Sequence, residues 1–208
     1  SRGLGDVYKR QIQHPEDGYI QPADLTQALA TGARNRGAEI YRNTNVVGIK
    51  QTKNGWVVET DKGSIECEHV MSCSGNFARQ TGKMVGLEIP VIPVEHQYIV
   101  TEPHPEIQKR KKEGLPEMGV LRDSDSRWYM REEAGGLILG PYEDGAPCCY
   151  VDGPSKDSEY ELFQEDLDRL APHIEGAIHR VPAFGEVGVK KVYNGAICYT
   201  PDGNPIVG

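Results

Sequence analysis

The chain has 208 residues, 38% of them hydrophobic and 26% charged, enough to bury a core in one domain or one and a half. Lys plus Arg number 23 against 31 Asp plus Glu, a net charge of -8, which argues against a nucleic-acid partner because phosphates need a basic face. No apolar run approaches the ~20 residues that span a bilayer, so no membrane partner is expected. The five cysteines are odd in number and form no C-x-x-C, which speaks against a disulfide framework or a metal site and for a reducing compartment, cytoplasmic or mitochondrial matrix.

In chain order, Ser1–Gln11 differs in character from the rest of the chain and reads as a leader foreign to the fold. Pro22 suits a first helical position, Leu25, Ala28, Leu29 and Ala33 recur at helical spacing, and Gly37 reads as a left-handed stop. Extended chain comes next at 38–41 and 45–50. Asn54-Gly55 predicts a two-residue hairpin turn into 56–60, and Asp61-Lys62-Gly63 turns the chain into 64–67. A strand over 69–72 is expected to end at Ser74-Gly75. Helix, small antiparallel meander and a strand ending in a glycine turn make half of a nucleotide-binding layer.

Beyond Pro90 a long β-branched stretch, 91–101, predicts a strand. Further strands are expected at 120–122, 127–131 and 137–140, and a loop at 146–156. The run Lys109-Arg110-Lys111-Lys112, flanked by Glu106, Glu113 and Glu117, reads as a solvated turn or short helix. Ser158 and Glu161 make a capping box ahead of a helical pattern through Leu170. Pro172 should interrupt that pattern, and a second short helix should run up to Pro182. Asp166, Asp168 and His173 lie on this pattern as surface charge. Domain crossings are placed near Pro90 and near 188–191: 12–90 as part of one domain, 91–190 as a second, and 191–208 as a return to the first.

Residues alone give an α/β (α+β) protein with an added antiparallel sheet. Resemblance adds the function. Asp17-Gly18-Tyr19-Ile20 with Pro22, Leu25 and Ala28 resembles a segment of FAD-dependent amine oxidoreductases of the D-amino acid oxidase superfamily. Thr44 to Ile49, Val70 to Ala78 with its Ser74-Gly75 turn, and Asn194 through Pro205 with Thr200-Pro201-Asp202-Gly203 are similar to further segments in the same order. Pro93 to Thr101, Trp128 to Glu133 and Gly140-Pro141-Tyr142-Glu143 narrow the resemblance to the dimethylglycine and sarcosine dehydrogenases. The chain departs from the pattern in carrying Ser72-Cys73-Ser74 where Asn-Ala-Ala is usual and Phe77 where Trp is usual.

This resemblance implies a partial FAD-binding Rossmann-like domain and an antiparallel-sheet substrate domain. It implies FAD as cofactor, bordered by Val46 through its backbone and approached by Ser74 and Gly75, since a glycine-ended turn lets backbone come close to a bulky ligand. Read alone, Ser74-Gly75 is a strand-to-loop turn and Val46 a core valine. His96 and Tyr129 are the implied catalytic residues. Without the resemblance, His96 reads as a satisfied core histidine and Tyr129 as a strand tyrosine with its hydroxyl in water. Period-two alternation puts Val94, His96, Tyr98 and Val100 on one face of their strand. Arg131 shares a face with Tyr129; it suits a substrate carboxylate, though a salt bridge to Glu132 or Glu133 fits it better.

The reaction implied is oxidative demethylation of an N-methylated glycine, dimethylglycine or sarcosine, by hydride transfer to FAD. His96 would manage the amine proton and Tyr129 would orient the methyl group. Oxygen or an electron-transfer flavoprotein would take the electrons, and tetrahydrofolate enters only through a domain outside this chain. The G-x-G-x-x-G fingerprint that should precede such a segment does not appear, so the piece expressed alone is expected to bind FAD poorly and to be inactive. Alternatives are a sarcosine dehydrogenase or glycine-oxidase-like enzyme and, from another class, a non-catalytic flavoprotein subunit or folate-linked binding module.

Overall fold

The computed structural model describes His14, Glu16 and residues 18–207, so the expected leader Ser1–Gln11 and Asp17 lie outside the described residues. Pro22 opens helix α1 (Pro22–Arg34), with Asp24 in its first turn and Arg34 in its last to complement the helix dipole. Gly37 stands at φ +91°, a left-handed conformation glycine enters without strain, and closes the turn after the helix. The Leu25 and Leu29 stripe faces outward, and no α1 residue is buried.

Strands β1 (Val46–Thr52), β2 (Gly55–Thr60) and β3 (Gly63–Cys67) form the expected antiparallel meander in that order. The first hairpin is shifted by one residue: Gly55 pairs with Thr52, which leaves Lys53-Asn54 as the loop. Gly55 has φ +147°, and a Cβ there would lie 2.3 Å from the Cys67 carbonyl oxygen, so glycine serves the close approach of β3 rather than the turn. The strand expected at 69–72 does not form. Val70 and Met71 are exposed, and no described strand pairs with the segment, so it has no ladder to join. A 3₁₀ turn (Gly75–Phe77) and helix α2 (Ala78–Lys83) come after it.

The second sheet contains β4 (Ile92–Thr101), β5 (Leu121–Asp123), β6 (Trp128–Glu133), β7 (Gly136–Pro141) and β8 (Val189–Tyr199). Its order is β5-β6-β7-β4-β8, antiparallel throughout. Pairing of β8 with β4 runs from Ile92↔Tyr199 to Thr101↔Val189, so residues 191–199 belong to this sheet. Pro90 falls in the loop before β4. Helix α3 (Pro105–Lys112) carries the basic run in its last turn, where cations oppose the negative end of the dipole.

Helix α4 (Leu167–Arg180) starts later than the capping-box pattern suggests. Ser158 Oγ does donate to Glu161 at 2.8 Å, but no helix forms there, because tertiary bonds claim the next residues. The Phe163 amide donates to the Asn194 carbonyl at 2.8 Å, and the Asp166 amide to Gln97 Oε1 at 2.7 Å. Asp166 then caps α4 by accepting from the Arg169 amide. Pro172 sits inside the helix instead of ending it, in the second turn, where it forfeits one backbone bond.

One face of the second sheet is the core. Ile99, Trp128, Met130, Leu137 and Leu139 are buried there against Leu170 and Ala177 of α4, Ile107 of α3 and Phe184 of the 3₁₀ turn Pro182–Glu186. Each buried Leu, Ile, Met or Phe here contributes roughly 1.5–3 kcal/mol on burial, so this face holds the sheet together. Among the described residues no helix is long and apolar enough to cross a membrane.

Candidate functional site

The other face of the same sheet carries the polar aromatic side chains. Alternation sends Trp128 and Met130 of β6 into the core and Tyr129 and Arg131 to the opposite side. On β4, Pro93, Gln97, Ile99 and Thr101 are buried, while Val94, His96 and Tyr98 stand half-buried on the open face. Sequence alternation placed these three together with Val100, and Val100 is the member that is buried.

Cross-strand register assembles the face. Arg122 pairs with Tyr129 and Tyr129 with Gly140, so these three stand side by side on β5, β6 and β7. His96 pairs with Gly195, and Tyr98 with Tyr193, whose ring stacks on it at 4.7 Å and 17°. A Cβ added at Gly140 would lie 2.2 to 2.5 Å from Cζ, Cε1 and Oη of Tyr129. The phenol therefore lies flat across Gly140, in space that only glycine leaves.

His96 and Tyr129 meet through a third ring. The Tyr142 centroid is 6.4 Å from that of His96 and 6.1 Å from that of Tyr129, and Tyr199 is edge-on to His96 at 5.7 Å. Of the two described clefts, neither is lined by His96 or Tyr129. The larger, about 670 Å³, lies by Glu95 and the start of α4 on the other side. The smaller, about 330 Å³, shares Tyr142 with the cluster. The two residues are thus neighbours on an open sheet face.

Electrostatics favour neutral rings at pH 7. Burial pushes the His96 pKa below its ordinary value, against the opposing pull of the Glu143 carboxylate and a hydrogen bond to the Pro141 carbonyl; Arg169 pushes it down further. Burial raises the Tyr129 pKa, helped by Tyr142 and opposed by Arg131 and Arg122, so its hydroxyl remains a donor. Behind His96, Glu143 is buried and accepts from the Gln97 amide at 2.9 Å, Gln97 Nε2 at 3.1 Å and Arg169 Nε at 2.8 Å. That carboxylate takes over the ladder bond where β7 ends and fixes the backbone beside His96.

Arg131 is committed elsewhere: its guanidinium bonds the Glu133 carboxylate and the Glu132 carbonyl and lies over the Tyr19 ring at 4.3 Å. Ser74 precedes the 3₁₀ turn, and its hydroxyl is 2.8 Å from that of Ser72. Gly75 has φ +53°, and a methyl group there would meet nothing within 4 Å, so the backbone is open to a ligand. The turn runs alongside β8, the strand that supplies Tyr199 to His96. Val46 starts β1, exposed, far along the chain from the aromatic face. The open turn and the aromatic face thus both adjoin β8.

Gly140, Tyr142 and Tyr199 had no role assigned from sequence. Gly140 within a strand was a signal that something approaches its backbone closely. Tyr142, two residues on, shares its face by the same alternation. Nothing local marked Tyr199, whose neighbour His96 becomes visible only through the β4–β8 register.

Residues 2–208 match the family model DAO, described as FAD dependent oxidoreductase. The chain is 40% identical over 203 residues to the mitochondrial dimethylglycine dehydrogenase of Rattus norvegicus, covering 95% of this chain and 23% of that protein. It is 34% identical over 200 residues to the mitochondrial sarcosine dehydrogenase of Mus musculus, covering 93% and 21%. The chain therefore spans less than a quarter of the length of these relatives. Among solved structures, L-proline dehydrogenase from P. horikoshii superposes with a TM-score of 0.69 at 24% identity, over 90% of this chain and 46% of that one, a likeness of fold.

Proposed function

The chain belongs to the FAD-dependent oxidoreductase family, and on that premise we propose that it forms part of a flavoenzyme that oxidises an N-methylated glycine. Dimethylglycine is the first substrate to consider and sarcosine the second, after the relatives named for each. The observation that carries the reading is the convergence of His96 and Tyr129 on Tyr142, with the Tyr129 ring laid across Gly140.

FAD, when bound, supplies the acceptor for the electron pair. Ser74 and Gly75 would border it through the open backbone of their turn, and Val46 through the backbone of β1. Residues 12–90 would then serve mainly the cofactor and 91–190 mainly the substrate. Residues beyond 190 would serve both, since β8 lies between the glycine turn and β4.

Loss of hydride from an N-methyl carbon requires a free lone pair on nitrogen, so an amine arriving as ammonium must first lose a proton. His96, held neutral by burial and oriented through the Pro141 carbonyl, is suited to accept it. Tyr129, protonated at neutral pH, donates a hydrogen bond that fixes the substrate against the sheet face. Oxygen or an electron-transfer flavoprotein completes the cycle, in the cytoplasm or the mitochondrial matrix.

The test uses the full-length protein. Steady-state rates on dimethylglycine and sarcosine should show turnover of at least one, and His96→Gln and Tyr129→Phe should each lower kcat/KM by about 100-fold or more, the scale of a lost proton-transfer or positioning group. Absence of turnover on both amines, or unchanged rates in both variants, would refute the reading.

A further inference from the structure

We propose that Glu143 is the positioning residue of His96: its buried carboxylate fixes the strand backbone beside the imidazole and balances the charge that the ring acquires on taking a proton from the substrate amine. This rests on the amine-oxidoreductase reading above and adds the group that lets a half-buried histidine act as a base.

The geometry starts at the end of β7. Its pairing with β4 stops at Ile99↔Leu139, and Pro141, Tyr142 and Glu143 then grip β4 by other means. The Pro141 carbonyl accepts from the His96 ring. Tyr142 stands edge-on to that ring at 6.4 Å. Glu143 Oε1 accepts from the Gln97 amide at 2.9 Å. Consecutive residues thus hold the imidazole nitrogen, the imidazole face and the peptide next to it.

Glu143 is the charge in this grip. Its side chain is 1% exposed, and its carboxylate also accepts from Gln97 Nε2 at 3.1 Å and Arg169 Nε at 2.8 Å. One guanidinium does not neutralise the cluster, because Arg169 is shared with Glu95 at 3.4 Å and Asp166 at 3.8 Å. Carboxylates outnumber the cation, which leaves a net negative charge on the core side of β4, behind His96. The other groups against the ring are the phenols of Tyr142 and, from β8, Tyr199 at 5.7 Å. Among the described residues the charges acting on His96 are therefore Glu143, which favours the protonated ring, and Arg169 of α4, which disfavours it. Burial alone would leave an imidazolium uncompensated here, and a carboxylate across the strand offsets that cost. A merely structural Glu143 would need its hydrogen bonds but not its charge.

The experiment compares full-length wild type, Glu143→Gln and Arg169→Gln. Glutamine at 143 keeps the shape and an acceptor for the Gln97 amide while removing the charge, and glutamine at 169 keeps a donor while removing the opposite charge. The readout is the NMR titration of isotope-labelled histidine, with the His96 signal identified by its loss in His96→Gln. Glu143→Gln should lower the proton affinity of His96 by about 10-fold, the scale of a lost neighbouring opposite charge, and Arg169→Gln should raise it. The acidic limb of the kcat/KM profile for dimethylglycine should move with the titration in each variant. A His96 titration unchanged in both variants, or displaced in the same direction in both, would overturn the proposal. If Glu143→Gln fails to fold, Arg169→Gln decides alone: a raised affinity supports the proposal and an unchanged or lowered one sinks it. Should wild type turn over no N-methylated glycine while the two titrations still diverge, the positioning of His96 by Glu143 stands and the demethylation reading falls.

Discussion

The two faces of the five-stranded sheet use the same strands for opposite ends. On one, Trp128, Met130, Leu137, Leu139 and Ile99 are almost fully sealed under α4 and α3. On the other, Tyr129, Tyr98 and His96 are half-buried, and the contacts between rings are edge-on, tilted or stacked rather than close-packed with aliphatic side chains. Neighbours in sequence, Trp128 and Tyr129, go to different faces, and with them go different physics. Deep burial of apolar atoms makes stability, whereas half-burial of ionisable rings shifts pKa values while leaving them reachable. Substitutions on the two faces should separate accordingly.

The largest loss of stability should come from the sealed face. Leu139→Ala removes a fully buried side chain from the core and should cost about 2–5 kcal/mol, read by denaturant unfolding of the full-length protein. Gly140→Ala, one residue along and on the open face, should cost less, about 1–3 kcal/mol, because the new methyl collides with the Tyr129 ring rather than opening a cavity. Its signature is coupling: adding Tyr129→Ala should restore most of that stability, and a double-mutant cycle with no interaction energy would show that the ring does not lie over Gly140.

The smallest effect concerns pH. Burial lowers the folded-state pKa of His96, so below the ordinary histidine value the unfolded chain takes up a proton that the folded chain resists. Stability should therefore fall as pH drops from 6.5 toward the folded pKa and be free of this penalty above 6.5. His96→Phe should flatten that limb in pH-dependent melting. A limb unchanged by the substitution would mean that another group carries it.

Much of this division was legible in the sequence, because period-two alternation and turn chemistry are local. Pro22, Gly37 and the Asn54-Gly55 region mark α1 and the meander to within a residue or two. Where expectation and structure part, long-range bonds decide. The capping box at Ser158 forms its own hydrogen bond, yet no helix starts there because Asn194 and Gln97 hold residues 163 and 166. Residues 69–72 have a strand's composition but no ladder partner among the described residues. For the site, resemblance picked out His96 and Tyr129, while Tyr142, Tyr199 and Gly140 needed the register of β4, β7 and β8. A sequence shows which side a residue faces, but only the pairing shows what stands next to it.

The central claim is that the open face bearing His96 and Tyr129 is the one that borders the flavin. A crystal structure of the full-length flavoprotein with methylthioacetate bound tests it most directly. The account predicts the ligand packed between the isoalloxazine ring and this face, in contact with both side chains. A flavin seated against the α4 side of the sheet, or His96 and Tyr129 both out of contact with ring and ligand, would contradict it.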